Sequence, residues 1–355
     1  MKFYLFGGKF MQDNCPLCME TVKGYMIEVD RPSVLQEVIQ SLSQHSQKEW
    51  QPVNHSQLWV GNRLFFDCLS FWSEYYSLEN WDFYGAVKLG SEIEKMNHMT
   101  FHEVVARRPV LWVDEIIQHD QIHMMYQPIV HVEYKQTIGY EMLARALRPD
   151  GSLISPALLF ESARNQSELF RLDRTCRIKG IQAGQQLSQE QLIFVNFIPT
   201  SIYIPEHCLQ TTMKAAYENG IDNSRIVFEV VETERVDNLE HLKRILLYYR
   251  REGFRYALDD VGEGFNDLST LLALEPDVVK LDRKFVKNIH LDKEKRDRAE
   301  KIYRLTSSMN AIALAEGIES AEEARILREI GYDWQQGYYY GKPSFSPSSN
   351  SEVFL

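Results

Sequence analysis

The chain has 355 residues, of which 44% are hydrophobic and 25% are charged, and its formal net charge is −11. This is the composition of an ordinary globular protein with enough residues for two domains. The negative charge argues against a protein that coats nucleic acid polymers or binds a membrane through a basic patch, although bound metal ions could still attract a phosphorylated ligand into one pocket.

Neither a membrane span nor a secretion signal is expected. No apolar run approaches the roughly 20 residues that cross a bilayer, and Lys9 and Asp13 interrupt the apolar fragments at the N-terminus. The five cysteines are scattered and odd in number, which does not suggest a disulfide framework. Cys15 and Cys18 could be half of a zinc site or a redox pair, but two ordinary thiols are the favoured interpretation. We therefore expect a cytoplasmic protein.

Residues 1–100 predict a small, separate domain of mixed α+β type. Four of the six tryptophans lie here, residues 23–29 and 57–68 have strand-like patterns, and residues 34–42 suit a short helix. We interpret this segment as a sensory or regulatory domain whose input is unknown. The polar stretch that follows predicts a connecting helix over residues 101–120.

Strand and helix signals alternate from residue 121 onward, which is typical of a βα-repeating domain. A helix is expected over residues 239–251, ended by Gly253, and Ser320 with Glu323 forms a capping box that predicts another helix ending before Gly331. The strands are short and apolar, as in a (β/α)8 TIM-like barrel. We assign residues 121–345 to this α/β barrel and residues 346–355 to a loose tail. The predicted strands cover residues 123–132, 192–197, 225–231, 255–259, 277–281, 311–315 and 337–340.

Polar residues stand beside these strands, where a barrel would gather them at one mouth. Many carboxylates in one cleft stay ionised only when cations accompany them, so the pattern predicts a divalent metal site. Oxygen ligands select Mg²⁺ or Mn²⁺ over Zn²⁺. The residues are Glu141, Asn196, Glu229, Glu232, Asp259, Asp260, Lys280, Glu316 and Glu319.

The neighbouring aspartates Asp259 and Asp260 could serve two metal ions about 3.5–4 Å apart, a spacing that suits phosphodiester cleavage. One ion would lower the pKa of an attacking water, and the pair would hold the phosphate and stabilise its developing charge. The Lys280 ammonium could orient that water or contact the phosphate. The pattern therefore favours metal-assisted cleavage of a phosphodiester.

The polar residues belong to a series of short motifs. Gln127–Pro–Ile comes first, then Glu141–Met142–Leu143 and Arg145. The later motifs are Asn196, the pair Glu229 and Glu232, Asp259–Asp260, Lys280, the run Ala–Glu–Gly–Ile–Glu that ends at Glu319, and Gln336–Gly337. Over roughly residues 115–345 this series resembles the EAL family of cyclic-di-GMP phosphodiesterases, which is named for a Glu–Ala–Leu motif and has the same motifs in the same order.

The resemblance implies a barrel with one reversed strand that hydrolyses cyclic di-GMP to linear pGpG with two Mg²⁺ or Mn²⁺ ions, and a homodimer formed through the barrel. It assigns the first metal to Glu141, Asn196, Glu229 and Asp259, with Asp260 shared between the two metals.

The resemblance also assigns the remaining roles. Lys280 would contact the attacking water, Glu316 would be the general base or a second-metal ligand, and Glu232 would hold the loop after Asp260. Gln127 and Arg145 would contact the substrate, and Glu319 and Gln336 would support its binding.

One loop departs from the family. It reads Asp–Asp–Val–Gly–Glu–Gly–Phe–Asn–Asp from Asp259, whereas the family's usual loop is Asp–Asp–Phe–Gly–Thr–Gly–Tyr–Ser–Ser. Both aspartates and both glycines remain, but the packing and charge of the loop change. A non-catalytic receptor that binds cyclic di-GMP and signals to a partner is therefore an alternative hypothesis, and a barrel that cleaves a different phosphodiester is a third.

Overall fold

The computed structural model describes residues 21–108, 111–148, 150–230, 239–261, 268–349 and 353. Cys15, Cys18 and Glu232 lie outside these ranges, as does most of the altered loop, and Asp260 is described only as part of its strand. Predictions about these side chains therefore stay predictions. The chain divides into two compact units, Met1–Pro109 and Val110–Leu355.

The first unit is a five-stranded antiparallel sheet with helices. Its described elements are β1 (Thr21–Glu28), α1 (Pro32–Leu42), β2 (Trp50–Pro52), β3 (Gln57–Gly61), α2 (Asn62–Tyr75), β4 (Asp82–Leu89), β5 (Glu92–Met99) and α3 (Phe101–Ala106). The strand order is β2-β3-β1-β4-β5. Tyr25 of β1 stacks on Phe65 of α2 with ring centroids 4.1 Å apart, and Trp72 is fully buried. The expected mixed α+β region is confirmed.

The predicted strand over residues 57–68 is wrong in its second half. β3 ends at Gly61, and α2 begins with the next residue. Leu64, Cys68 and Trp72 are all buried, and their spacing of four residues places them on one face of a helix. The run of large apolar residues is therefore the buried face of α2.

The segment 101–120 does not form the single connecting helix that was predicted. It contains α3 and a second short helix, α4 (Trp112–Gln118). A capping box between Thr100 and Glu103 begins α3, and the chain leaves the helix at Arg107. The sequence then has Pro109, which lacks the N–H that a continuous helix would need.

The second unit is a closed barrel surrounded by helices. None of the helices in the described ranges is both long and apolar enough to cross a membrane. After α4 its elements are β6 (Ile122–His131), β7 (Gln136–Leu147), β8 (Leu153–Ile154), α5 (Pro156–Asn165), α6 (Leu169–Ala183), β9 (Leu192–Phe197), α7 (Pro205–Cys208), α8 (Gln210–Glu218), β10 (Ile226–Val230), α9 (Leu239–Arg251), β11 (Arg255–Val261), α10 (Leu268–Leu274), β12 (Val278–Leu281), α11 (Arg283–Val286), α12 (Lys293–Ser308), β13 (Ile312–Ala315), α13 (Ala321–Ile330) and β14 (Trp334–Gln336).

Eight strands close the barrel in the order β6-β14-β13-β12-β11-β10-β9-β7, because β6 also pairs with β7. Seven of these strands are parallel to their neighbours in that series, whereas β6 runs antiparallel to both β7 and β14. This confirms the predicted TIM-like barrel with one reversed strand. The carboxyl ends of the seven parallel strands therefore meet at one mouth.

Two of the strand predictions need correction. The last strand is Trp334–Gln336 rather than 337–340, because the chain turns at Gly337, whose φ is +157°. A Cβ on Gly337 would lie 2.1 Å from the Ile318 carbonyl oxygen, so the turn requires glycine. The sequence analysis also lacked a separate strand for β7, because its charged residues hide the apolar pattern.

The chain contacts the barrel at Ser344 and again at Ser348, near the start of the predicted tail. Ser344 and Tyr126 exchange backbone hydrogen bonds of 3.1 and 2.7 Å. The Tyr140 hydroxyl donates to the Ser348 carbonyl oxygen at 2.6 Å. These contacts satisfy backbone groups that a solvated tail would leave to water.

Candidate active site

The barrel interior places a polar layer directly beyond an apolar one. Six strands contribute to a buried apolar cluster of Ile129, Phe194, Val227, Ala257, Val278 and Leu314. Side chains two residues apart project from the same face of a strand. The next inward positions toward the mouth are therefore Gln127, Asn196, Glu229, Asp259, Lys280 and Glu316. Six predicted site residues thus share one layer at the carboxyl ends of the parallel strands.

The Lys280 ammonium lies among four carboxylates, three from this layer and that of Glu141 on β7. Its Nζ is 3.0 Å from Glu229 Oε1, 3.1 Å from Glu316 Oε2, 3.3 Å from Asp259 Oδ1 and 3.9 Å from Glu141 Oε2. The lysine side chain is only 1% exposed, so water screens these interactions weakly. The structure therefore brings together four carboxylates that lie far apart in the sequence.

Glu141 is anchored by amide donors from two other strands. Asn196 Nδ2 donates to Oε1 at 2.9 Å, and Gln336 Nε2 donates to Oε2 at 2.7 Å. Gln127 lies directly opposite Glu141 in the register between β6 and β7. The carboxylate is thus held in one orientation, with both oxygens hydrogen-bonded.

The pKa values of the three most buried groups follow from these contacts. Burial lowers the pKa of Lys280, but the charges of Asp259, Glu141, Glu229 and Glu316 outweigh it and raise that pKa well above its ordinary value. The pKa of Glu141 is lowered, because Lys280 and the two amide hydrogen bonds outweigh the effect of burial. Burial, together with the charges of Glu141 and Asp259, raises the pKa of Glu229 well above its ordinary value despite the nearby ammonium. Lys280 is therefore a permanent cation at neutral pH.

The carboxylate and amide oxygens of this layer are ligands that suit a hard divalent cation. In the described structure they are not arranged around a single point. Among the described residues, no three Asp, Glu, His or Cys side chains converge closely enough to hold a metal ion, since the Lys280 ammonium lies between the carboxylates. Both oxygens of Glu229 are buried; Oε1 lies 3.0 Å from the Lys280 ammonium, and Oε2 accepts no hydrogen bond within the described part of the chain. A buried carboxylate oxygen without a hydrogen-bond partner, such as Glu229 Oε2, is a ligand that Mg²⁺ and Mn²⁺ prefer.

A β-bulge places the two aspartates. Leu258 pairs with Val279 and Val261 pairs with Leu281, so two residues of β11, Asp259 and Asp260, stand opposite a single residue of β12. Bulges bend a strand and redirect its side chains, and they are frequent beside active sites. The bulge therefore interrupts the regular alternation of the β11 backbone at these two residues.

A cavity of about 420 Å³ opens beside this polar layer. Glu141 and Asn196 lie on one side of it, and Arg145, Phe160 and Arg164 contribute to its walls. Arg145 is half-buried and donates to the Ala144 carbonyl oxygen. Burial lowers the pKa of Arg145, and the negative charge of Glu141 partly offsets this effect. The side chain is still charged at neutral pH, as arginine always is in proteins. The cavity therefore combines apolar walls with two arginines and with the acidic side chains of Glu141, Glu161 and Asp173.

Glu319 differs from the other predicted site residues. Its carboxylate pairs with Arg283 at 2.5 Å, and the two side chains are 41% and 53% exposed. The Arg283 side chain crosses Gly317, where an added Cβ would lie 2.4 Å from it. Glu319 therefore belongs to the rim of the mouth, and a direct contact with substrate stays a prediction.

Asp173 is a residue of this region that the sequence analysis missed. It is 2% exposed, lines the cavity and forms an ion pair with Arg177. Both residues lie within α6, far in sequence from any strand end. In the sequence, an acidic and a basic residue four positions apart on the apolar face of a helix could have indicated a buried ion pair. Charged residues are rarely fully buried unless they are paired.

A family model described as EAL domain matches residues 112–343. Escherichia coli (strain K12) has a relative named probable cyclic di-GMP phosphodiesterase PdeG, which is 28% identical over 237 residues. The match covers 64% of this chain and 45% of the relative, so the chain spans less than half the length of that protein.

Two solved structures are similar to the barrel. A standalone versatile EAL protein from Vibrio cholerae O395, in its c-di-GMP-bound form, is 34% identical with a TM-score of 0.59, covering 66% of this chain and 98% of that chain. The Bacillus subtilis YkuI protein, with an EAL domain and in complex with c-di-GMP and calcium, is 25% identical with a TM-score of 0.59, covering 68% and 60% of the two chains.

Proposed function

The chain belongs to the EAL domain family, and from this premise we propose that it hydrolyses cyclic di-GMP to linear pGpG with two Mg²⁺ or Mn²⁺ ions. The observation that supports the proposal best is the buried Lys280 ammonium within 4 Å of four carboxylates at the barrel mouth. Such a concentration of charge matches the demands of phosphate chemistry.

Glu141, Asn196, Glu229 and Asp259 would hold the first metal ion, and Asp260 would contact both. When bound, the ions would lower the pKa of the attacking water and stabilise the charge that develops on the phosphate. The chain supplies the orientation of these ligands, through the amide donors on Glu141 and the bulge in β11.

Lys280 and Glu316 have complementary roles in the proposed reaction. Lys280 has a raised pKa, so it acts as a hydrogen-bond donor to the water or the phosphate and not as a base. Glu316 Oε2, 3.1 Å from the ammonium, is the proposed acceptor of the proton from water. Addition of that water across one phosphodiester bond opens the ring, giving a phosphate monoester at one end and a hydroxyl at the other.

Substrate contacts would come from the rim and the adjoining cavity. Arg145 suits a phosphate because its planar guanidinium can donate two hydrogen bonds at once. Gln127 lies in the same layer as the carboxylates, and Gln336 has a buried Oε1 without a hydrogen bond in the described structure. Glu319 would support this rim through Arg283.

Hydrolysis is tested by incubating the purified full chain with cyclic di-GMP, first with EDTA and then with excess Mn²⁺, and by separating the products by chromatography. We expect pGpG to appear only with Mn²⁺. Glu141→Gln should abolish turnover, because an amide can neither bind the cation as a carboxylate does nor accept from both Asn196 and Gln336. The exposed Glu133 in the turn after β6 provides the control, since Glu133→Gln should leave the rate unchanged. If the wild-type protein forms no pGpG in the presence of Mn²⁺, the proposed hydrolytic activity is refuted.

A receptor without hydrolysis is the second candidate. The observation that favours it is the Lys280 ammonium, which partly neutralises the carboxylates without any metal ion. In that case cyclic di-GMP would bind at the same mouth and signal to a partner. Calorimetric binding of cyclic di-GMP, with no pGpG at any Mn²⁺ concentration, would support the receptor over the enzyme.

We further propose that the first unit regulates the barrel in response to an input still to be found, and that the protein is a cytoplasmic homodimer formed through the barrel. Sedimentation of the full chain with and without Mn²⁺ and cyclic di-GMP tests the dimer. A monomer under all of these conditions would refute that part of the proposal.

A further inference from the structure

A buried ion pair on α6 lies beside the candidate active site. Asp173 and Arg177 are one helical turn apart, their side chains are 2% and 0% exposed, and Asp173 Oδ2 accepts from Arg177 Nε at 2.9 Å. On its far side Arg177 Nη1 donates to Thr212 Oγ1 of α8 at 2.7 Å. A buried carboxylate is stable only when it is paired and hydrogen-bonded, and Arg177 supplies the charge.

Both oxygens of Asp173 also bind the segment that follows β9. The backbone N–H of Ile198 donates to Oδ1 at 2.9 Å, and Ser201 Oγ donates to Oδ2 at 2.6 Å. Between these two residues the chain makes a single 3₁₀ turn, Pro199–Ser201. One carboxylate therefore fixes both the beginning and the end of this turn.

The turn is connected directly to a candidate metal ligand. Ile198 lies two residues after Asn196, whose Nδ2 donates to Glu141 Oε1 at 2.9 Å. Asp173, Asn196, Ile198 and Glu141 all line the cavity of about 420 Å³. A shift of the turn would therefore move the end of β9 and change the direction in which the Asn196 amide points.

We propose that Asp173 is a positioning residue that orients Asn196 relative to Glu141, so that the two can bind one divalent cation. The ion pair with Arg177 holds the Asp173 carboxylate in place, and the hydrogen bonds to Ile198 and Ser201 transmit its position to the end of β9. This inference rests on the proposed function and deepens it, since it concerns how strongly the site binds metal. Groups that orient metal ligands from behind commonly change metal affinity by about 10–100-fold when removed.

Two single substitutions separate positioning from general stability. Ser201→Ala keeps the ion pair and removes a hydroxyl that lies 2.6 Å from Asp173 Oδ2 and 2.8 Å from the Ile198 carbonyl oxygen. Thr212→Val removes one hydrogen bond to Arg177 on the side away from the turn, so it is the matched control for the loss of a buried hydrogen bond to the same ion pair. Asp173→Asn, which keeps the shape but removes the charge, is the stronger variant.

The measurement is calorimetric titration of Mn²⁺ into the EDTA-treated full chain, followed by the Mn²⁺ dependence of cyclic di-GMP hydrolysis. We expect Ser201→Ala and Asp173→Asn to weaken Mn²⁺ binding by about 10-fold or more, and saturating Mn²⁺ to restore most of the rate of Ser201→Ala. Thr212→Val should lower the melting temperature without changing Mn²⁺ affinity.

Two results would overturn the inference while leaving the proposed function standing. One is a Ser201→Ala variant with wild-type Mn²⁺ affinity, and the other is an equal loss of affinity in Thr212→Val. If the wild-type protein binds Mn²⁺ but forms no pGpG, only the proposed hydrolysis is refuted. The Mn²⁺ titration of the variants would still test the positioning role of Asp173. Wild-type protein that binds no Mn²⁺ would refute both.

Discussion

At the scale of single residues, the balance of charge around Lys280 governs the site. The ammonium has four carboxylate neighbours and almost no contact with solvent. Both signs are needed here, because either one alone would be an uncompensated buried charge. A divalent cation and Lys280 would therefore act together in neutralising the carboxylates, and loss of either should make the other more important.

Lys280→Met should be strongly destabilising in the absence of metal. Removing one partner from a buried ion pair commonly costs about 3–5 kcal/mol. Lys179→Met is the control, since Lys179 pairs with Asp120, which is 79% exposed, and surface pairs contribute about 1 kcal/mol or less. Urea unfolding in EDTA measures both. Equal stability of the two variants would contradict the charge balance described for the mouth.

The pH dependence of the Lys280→Met variant follows from Glu229. Burial and the neighbouring carboxylates already raise the pKa of Glu229, and without the ammonium it should rise further. When the pKa of a carboxyl group is higher in the folded than in the unfolded chain, the stability that this group contributes is present at low pH and is lost as the pH rises. The difference in the free energy of unfolding between wild type and Lys280→Met should therefore be smaller at pH 5 than at pH 8. An unchanged difference would contradict this.

At the scale of elements, the connections that follow the strands determine the geometry of the site. The segment after β9 is held by Asp173 from α6, and also by α9, where His241 Nε2 is 2.7 Å from the Ile202 carbonyl oxygen. The buried His241 side chain must donate to this oxygen, and Arg244 lies 3.5 Å from its other ring nitrogen. Two helices thus fix one turn at the mouth.

His241 should make the stability of the barrel depend on pH. Burial lowers its pKa to about 4, from an ordinary value of 6.5, so the folded chain binds fewer protons than the unfolded chain in this interval. Stability is then complete above pH 6.5 and is lost as the pH falls toward 4, by at most about 3 kcal/mol. His241→Gln, which can still donate to Ile202, should remove this part of the pH dependence. Replacement of the exposed His55 is the control in the urea unfolding series.

The turn after β14 should tolerate no side chain. Gly337→Ala would place a Cβ 2.1 Å from the Ile318 carbonyl oxygen at a positive φ, and we expect it to destabilise the barrel by about 1–3 kcal/mol and to displace Gln336 from Glu141. Gly220→Ala is the control, because its φ is +62° but no atom lies within 4 Å. Thermal unfolding and the hydrolysis rate should both change more in Gly337→Ala. Equal effects would show that the close contact is unimportant.

At the scale of the whole molecule, the barrel unit has its own closed sheet and its own apolar interior. Residues 110–355 should therefore fold without the first unit, unfold cooperatively and retain Mn²⁺-dependent hydrolysis. Comparison of the hydrolysis rate with that of the full chain reports whether the first unit regulates the barrel. An aggregated or non-cooperative barrel would show that the two units depend on each other for folding.

The sequence by itself determined the βα-repeating fold, the positions of most barrel strands and the acidic residues at their ends. These features are local, since an apolar strand followed by a carboxylate is visible within a few residues, as at Val227 and Glu229. The capping box of Ser320 and Glu323 was also local, and the structure confirms it.

Only the tertiary structure decided which of these residues meet. The four distances from Lys280 depend on how the β11 bulge and the barrel register align the strands, and the rim position of Glu319 depends on Arg283. The spacing of Asp173 and Arg177 could indicate a buried pair, but it could not show that Asp173 holds the turn after β9, because its partners Ile198 and Ser201 lie 25 and 28 residues further along the chain. Long-range contacts of this kind arise from closure of the barrel, which no local pattern encodes.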